Sequence, residues 1–106
     1  MSDAITAEEF AAHEGLDGWR AAAGSATARF ETGSFAAGVR LVVEVGRLAD
    51  EADHHPDVDL RYPHVDITLS SHDIGGLSRR DAALARRITD AALALGVPAP
   101  TKENAS

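Results

Sequence analysis

The stretch SFAAGVRLVVEVGRLADEADHHP, residues 34–56, decides how this chain folds. Ser34 is a side chain suited to capping a helix. Behind it Phe35, Val39, Val42, Val45 or Gly46, and Ala49 recur at three- and four-residue steps, the spacing that lines one face of an α-helix. Leu41 and Leu48 widen the apolar surface beyond one stripe, which suggests a helix covered on more than one side, as by a partner subunit. Pro56 has no backbone N–H and disfavours helical geometry at His55. The helix is therefore expected over 35–52, stopping within Asp53-His54-His55.

Downstream, Val58 to Tyr62 and Val65 to Leu69 both alternate with period two, and the short Pro63-His64 connection makes them a hairpin. Upstream, Thr6 followed by Glu8 and Glu9 predicts a helix over 6–14, ended near Gly15. An extended stretch from Gly18-Trp19, a turn at Gly24-Ser25 and a strand from Ala26 to Thr32 follow. After Gly75-Gly76, Ser78 with Asp81 three residues on has the form of a capping box. The helix it opens should reach Leu95, before Gly96 and Pro98. The order α-β-β-α-β-β-α predicts an α+β fold in two layers, a four-stranded antiparallel sheet with the helices on one face. One domain over 1–106 is expected, with 1–5 and 99–106 frayed.

A chain of 106 residues would bury roughly two-thirds of its unfolded surface. With three Phe, one Trp and one Tyr, its core must be mostly aliphatic. The absence of cysteine removes disulfides, thiolate catalysis and thiolate-bound zinc. A formal charge of −7 works against nucleic-acid phosphates, and Arg79, Arg80, Arg86 and Arg87 read as a solvated helix face. No apolar run approaches the roughly 20 residues needed to cross a bilayer, and Asp3, Glu8 and Glu9 stand where a secretory leader would be basic. A soluble cytoplasmic protein, binding neither nucleic acid nor membrane, is the expectation.

Chemistry concentrates at Asp50, His54, His55, Tyr62, His72 and Asp81. Imidazole is the side chain whose ordinary pKa suits proton transfer near neutral pH. Asp50, four residues before His54, shares its face if the helix persists, and a carboxylate there would orient the ring. The plainer alternative is a solvated helix end, with imidazoles near the negative end of the dipole. Two His and a carboxylate also suit a metal, but adjacent histidines diverge and no His-x3-His pair occurs, so no metal site is expected. Tyr62 and Asp81 read as structural, through packing and a helix-start hydrogen bond respectively. Trp19 reads as core or as an apolar wall, and His13 and His64 as surface residues.

The spacing resembles the pterin-4a-carbinolamine dehydratase family. Its pattern is an acidic residue, three residues, His-His-Pro, five residues, an aromatic, nine residues, His, eight residues and Asp. Here it falls on Asp50, His54, His55, Pro56, Tyr62, His72 and Asp81 with every interval kept. The run Val65 to His72 resembles the family strand before its third histidine, and Gly76-Leu77-Ser78 the start of its last helix. Asp50 stands where Glu is usual, Val58 where an aromatic is frequent, and Thr32 and Val39 where Phe often packs.

The resemblance implies the same α+β fold and dehydration of a 4a-hydroxytetrahydropterin to the quinonoid dihydropterin, without metal or cofactor. It implies a catalytic set of His54, His55, His72 and Asp50. In that set His54 and His72 are acid and base, His55 orients the ring system, and Asp50 supports the histidines. Substrate contacts fall on Asp53, His54, His55, Ser70, Ser71, His72 and Asp73. A homodimer or homotetramer is implied too. The alternative is a pterin-binding or protein-interaction module with weak or no turnover; the transcription-factor partnership of some animal members is tied to no residue of this chain.

Overall fold

The computed structural model describes residues 3–101, apart from the side chain of His72. Its elements are α1 (Ala7–Ala11), β1 (Arg20–Ala22), β2 (Ser25–Glu31), α2 (Phe35–Ala52), β3 (Asp57–Leu60), β4 (His64–Leu69), a one-turn 3-10 helix (His72–Ile74) and α3 (Arg79–Ala94). The four strands form one antiparallel sheet in the order β1-β2-β4-β3. This is the expected two-layer α+β architecture.

Alternation on the central strands builds the layers. Ala26, Ala28 and Phe30 on β2 and Val65, Ile67 and Leu69 on β4 are buried, in one core with Leu41, Leu84 and Ile88 of the helices. Thr27, Arg29, Asp66 and Thr68 point the other way. Arg29 forks onto Asp66 at 2.8 and 3.0 Å, and the Thr27 and Thr68 hydroxyls lie 3.0 Å apart, so the open sheet face is held by polar cross-strand pairs. Trp19 belongs to the core. Its ring meets Phe10 and Phe30 edge-on at centroid distances of 6.4 and 6.0 Å, and its indole N–H donates to Thr89 Oγ1 at 3.0 Å.

α2 has the expected bounds, with Ser34 Oγ accepting from the Ala37 N–H. Its buried face differs from the expected stripe. Gly38, Leu41, Val45, Leu48 and Ala49 are buried, while Phe35 and Val39 are 50% and 41% exposed. Apolar side chains cover so much of this helix that periodicity alone did not select its inner face. Leu41 and Leu48 belong to the core, and Phe35, Val39 and Val43 look outward.

The connections and the end of α1 differ from the expected positions by one to three residues. Ala23 and Gly24, both at positive φ, make the two-residue turn between β1 and β2, which starts one residue earlier than expected. β3 ends at Leu60, opposite Val65, and Arg61-Tyr62-Pro63 forms the connection. α1 closes at Ala11, with Thr6 and Glu9 bonded reciprocally at its start. Within the described parts of the expected frayed ends, Asp3, Ile5 and Pro100 make contacts with the body of the fold. Ile5 donates its N–H to the Leu77 carbonyl and Arg79 to that of Asp3, both at 3.0 Å. Pro100 is buried against Gly18. The rest of the expected frayed ends lies outside the described residues. Among those described, no helix is long and apolar enough to cross a membrane.

Candidate functional site

The site begins where α2 unwinds. Asp53 takes the left-handed conformation (φ 49°, ψ 46°), its N–H bonds to the Asp50 carbonyl, and the His54 N–H bonds to the Ala49 carbonyl at 3.1 Å. These are the two bonds of a Schellman ending, with Asp where Gly is commonest. The reversal swings His54 off the helix face and inward. Its side chain is only 10% exposed, and Nε2 lies 2.5 Å from Asp81 Oδ1.

Asp81 sits in the first turn of α3 and is fully buried. Its other oxygen, Oδ2, accepts the Ser78 N–H at 2.8 Å and the Ser71 hydroxyl at 2.8 Å, with Ser78 Oγ at 3.3 Å. Ser71 and Ser78 Oγ are themselves 2.7 Å apart. These donors and the imidazole compensate the burial of a carboxylate. Three segments thus meet at one residue: the residues after β4, the start of α3 and, 27 residues before Asp81, the end of α2. No buried side-chain nitrogen or oxygen among the described residues is left unpaired.

The other predicted residues are placed differently. Asp50, 81% exposed, accepts from His55 Nε2 at 3.0 Å rather than reaching His54. The pairing differs because the left-handed residue breaks the helical face that Asp50 and His54 would have shared. His55 and Asp50 form a solvent-screened surface pair, able to orient a ring and worth little to stability. Asp73 is exposed and takes Arg80 Nη2 on both oxygens, at 2.8 and 3.0 Å. The guanidinium holds the Asp73 carboxyl below the usual carboxylate range.

Ser70 and Ser71 line a cleft of about 290 Å³ with Ala23, Gly24, Ser25, Gly75 and Gly76. The Ser71 hydroxyl is committed to Asp81, so backbone groups and Ser25 and Ser70 supply the free polar chemistry there. The backbone of His72 follows Ser71 into the 3-10 turn, and its side chain lies outside the described residues. Asp53 is exposed.

Tyr62, expected to pack, projects into solvent from the β3–β4 connection. His13 is exposed as expected, whereas His64 is partly buried, 3.8 Å from Asp66. Among the described residues, no three His, Asp or Glu side chains are grouped as metal ligands would be. Sequence reasoning gave Asp81 its helix-start bond but not its hold on His54. The signal available was its fixed interval after His72, which a capping role alone does not require.

An imidazole gripped on one nitrogen by a buried carboxylate, with no partner on the other among the described residues, is equipped for proton transfer. The sequence model of the family described as "Pterin 4 alpha carbinolamine dehydratase" matches residues 3–91. The chain belongs to the pterin-4a-carbinolamine dehydratase family. A relative from Roseiflexus sp. (strain RS-1), provisionally named pterin-4-alpha-carbinolamine dehydratase, is 39% identical over 75 residues, 71% of this chain and 81% of its own. A Nocardia farcinica protein with the same provisional name is 40% identical over 77 residues, 73% of this chain and 81% of its own.

Among solved structures, a transcriptional coactivator/pterin dehydratase from Brucella melitensis superposes with a TM-score of 0.72 at 27% identity, over 81% of this chain and 95% of that one. A pterin dehydratase-like RuBisCO assembly factor of the alpha-carboxysome superposes with a TM-score of 0.56 at 26% identity, over 72% and 90%. These structural neighbours are thus associated with more than one role.

Proposed function

We propose that this protein is a hydro-lyase that converts a 4a-hydroxytetrahydropterin to the quinonoid dihydropterin, regenerating a pterin cofactor in the cytoplasm. The observation carrying this reading is His54 held by the buried carboxylate of Asp81 at the mouth of the α2–β3 turn. In the reaction the C4a–O bond breaks, an acid protonates the departing hydroxyl to give water, a base takes the N5 proton, and the N5–H electron pair becomes the C4a=N5 double bond. His54 and His72 serve as acid and base, each worth on the order of 10²- to 10⁴-fold. His55, steadied by Asp50, orients the ring system, and Asp53, Ser70, Ser71 and Asp73 border it. No metal or cofactor is required.

Stopped-flow absorbance of substrate generated in situ, after chelation, tests this. The wild type should accelerate dehydration, and His54→Ala and His72→Ala should lose that acceleration while remaining folded. A folded wild type no faster than buffer would end the dehydratase reading for that pterin.

The likeness to the RuBisCO assembly factor favours a second reading, a pterin-binding or protein-interaction module with weak or no turnover. Pterin binding without wild-type turnover would select it. Either function is proposed for a homodimer or homotetramer, since Phe35, Val39 and Val43 leave an apolar stripe on α2 suited to a second copy.

A further inference from the structure

We infer that Asp81 is a positioning residue that fixes His54 as its Nε2–H tautomer and presents Nδ1 to the substrate, so that Nδ1 exchanges the proton. The inference deepens the dehydratase reading and rests on it for its kinetic part. Each atom around Asp81 is limited in what it is able to do. The Ser78 N–H only donates, and it occupies Oδ2 together with the Ser71 hydroxyl, both at 2.8 Å. That fixes the carboxylate plane and leaves Oδ1 facing Nε2 at 2.5 Å.

An ionised carboxylate only accepts, so Nε2 must carry a hydrogen. In the neutral ring the lone pair is then on Nδ1, and in the cation Nδ1–H is the hydrogen free to leave. Asp81 is buried while the His54 side chain keeps a tenth of its surface open, and with Nε2 committed to the carboxylate Nδ1 is the ring nitrogen left for a ligand.

The same constraints predict the effect of Asp81→Asn, which is nearly isosteric. The Ser78 N–H still demands an acceptor, so the Asn oxygen must take the place of Oδ2. The amide NH2 then faces Nε2 and donates to it, which moves the ring hydrogen to Nδ1 and removes the base from the position that meets substrate. A purely structural role for Asp81 would not reverse a tautomer.

The experiment is two-bond ¹H–¹⁵N correlation of the histidine rings in the full-length protein, assigned with His54→Gln, alongside steady-state kinetics of Asp81→Asn. Wild-type His54 should show the Nε2–H pattern, and adding a 7,8-dihydropterin should move Nδ1 more than Nε2. Asp81→Asn should show the Nδ1–H pattern. Its kcat should fall on the order of 10²- to 10⁴-fold, with KM within about threefold of wild type.

An Nδ1–H pattern in the wild type overturns the inference, and so does a folded Asp81→Asn with unchanged kcat. If Asp81→Asn does not fold, the wild-type spectrum and its response to the dihydropterin decide alone. If the wild type has no turnover, the dehydratase reading falls separately. The tautomer and the nitrogen that responds to pterin still settle what Asp81 does.

Discussion

Gly18 shows how much a single hydrogen atom in place of a side chain contributes. A β-carbon there would overlap the carbonyl group of Pro100, which is backbone and has no rotamer through which to withdraw. Gly18→Ala should therefore lift residues 98–101 from the core or displace the turn before Trp19. The expected cost is about 1–3 kcal/mol in urea denaturation. Deleting residues 100–106 should cost less in that background than in the wild type, because the two changes remove one contact. An unchanged midpoint for Gly18→Ala would mean that Pro100 does not pack there.

Asp53 is the complementary case, a side chain accepted where φ is 49°. Asp53→Val, β-branched, should cost about 1–2 kcal/mol and reduce kcat of the proposed dehydration, because the turn that it strains aims His54. Loss of stability with full activity would separate the two.

At the level of elements, α2 was legible in its ends and not in its facing. Ser34 and Pro56 act through local backbone chemistry, which sequence records directly, whereas the choice of inner face depends on which residues the sheet can accommodate. Leu41→Ala should cost about 2–5 kcal/mol, since Leu41 is fully buried. Val39→Ala should cost less than about 1 kcal/mol in dilute monomer, any further cost appearing as concentration dependence. Equal losses in denaturant titrations of the monomer would return Val39 to the core.

The site divides in the same way. Intervals along the chain point to His54, His55 and His72 and leave Asp81 as a structural residue, while Asp50 pairs with His55 rather than with the His54 whose helical face it would share if α2 persisted. The deciding event is a left-handed residue at Asp53, and an Asp there lacks the signal that a Gly would have supplied. The local pattern accounts for the bond of Asp81 to Ser78, three residues away. Its partner His54, 27 residues away, becomes a neighbour only when α2 packs on α3.

For the whole molecule, surface ion pairs bridge elements already packed on one core. Glu51 takes Arg47 and Arg87 at 2.6 Å each, tying α2 to α3, and these guanidinium partners hold its carboxyl below the ordinary range. Arg61 does the same to Asp59. A carboxyl depressed on folding stabilises fully above its unfolded pKa, about 4, and that contribution is lost as pH falls through the folded value. Thermal midpoints should therefore fall below about pH 4, and Arg87→Met should decline less steeply over that interval. Because these pairs face solvent, added salt should also reduce the difference. Superimposable curves for wild type and Arg87→Met would refute the coupling.

The proposed self-association also belongs to this scale. Val43, 65% exposed on the outward stripe of α2, should set it, so Val43→Glu should yield a smaller species than wild type in light scattering. The same mass for both would leave that stripe uncovered.

The double duty of Asp81, closing the first turn of α3 while gripping His54, limits how portable this site is. A peptide cut from residues 50–73 would carry all three histidines of the motif and lack the carboxylate that aims the first of them. Transplanting the motif into another scaffold would have to bring a strand end and a helix start along with it. A designer copying the His-His-Pro turn alone would reproduce its sequence and leave its geometry behind.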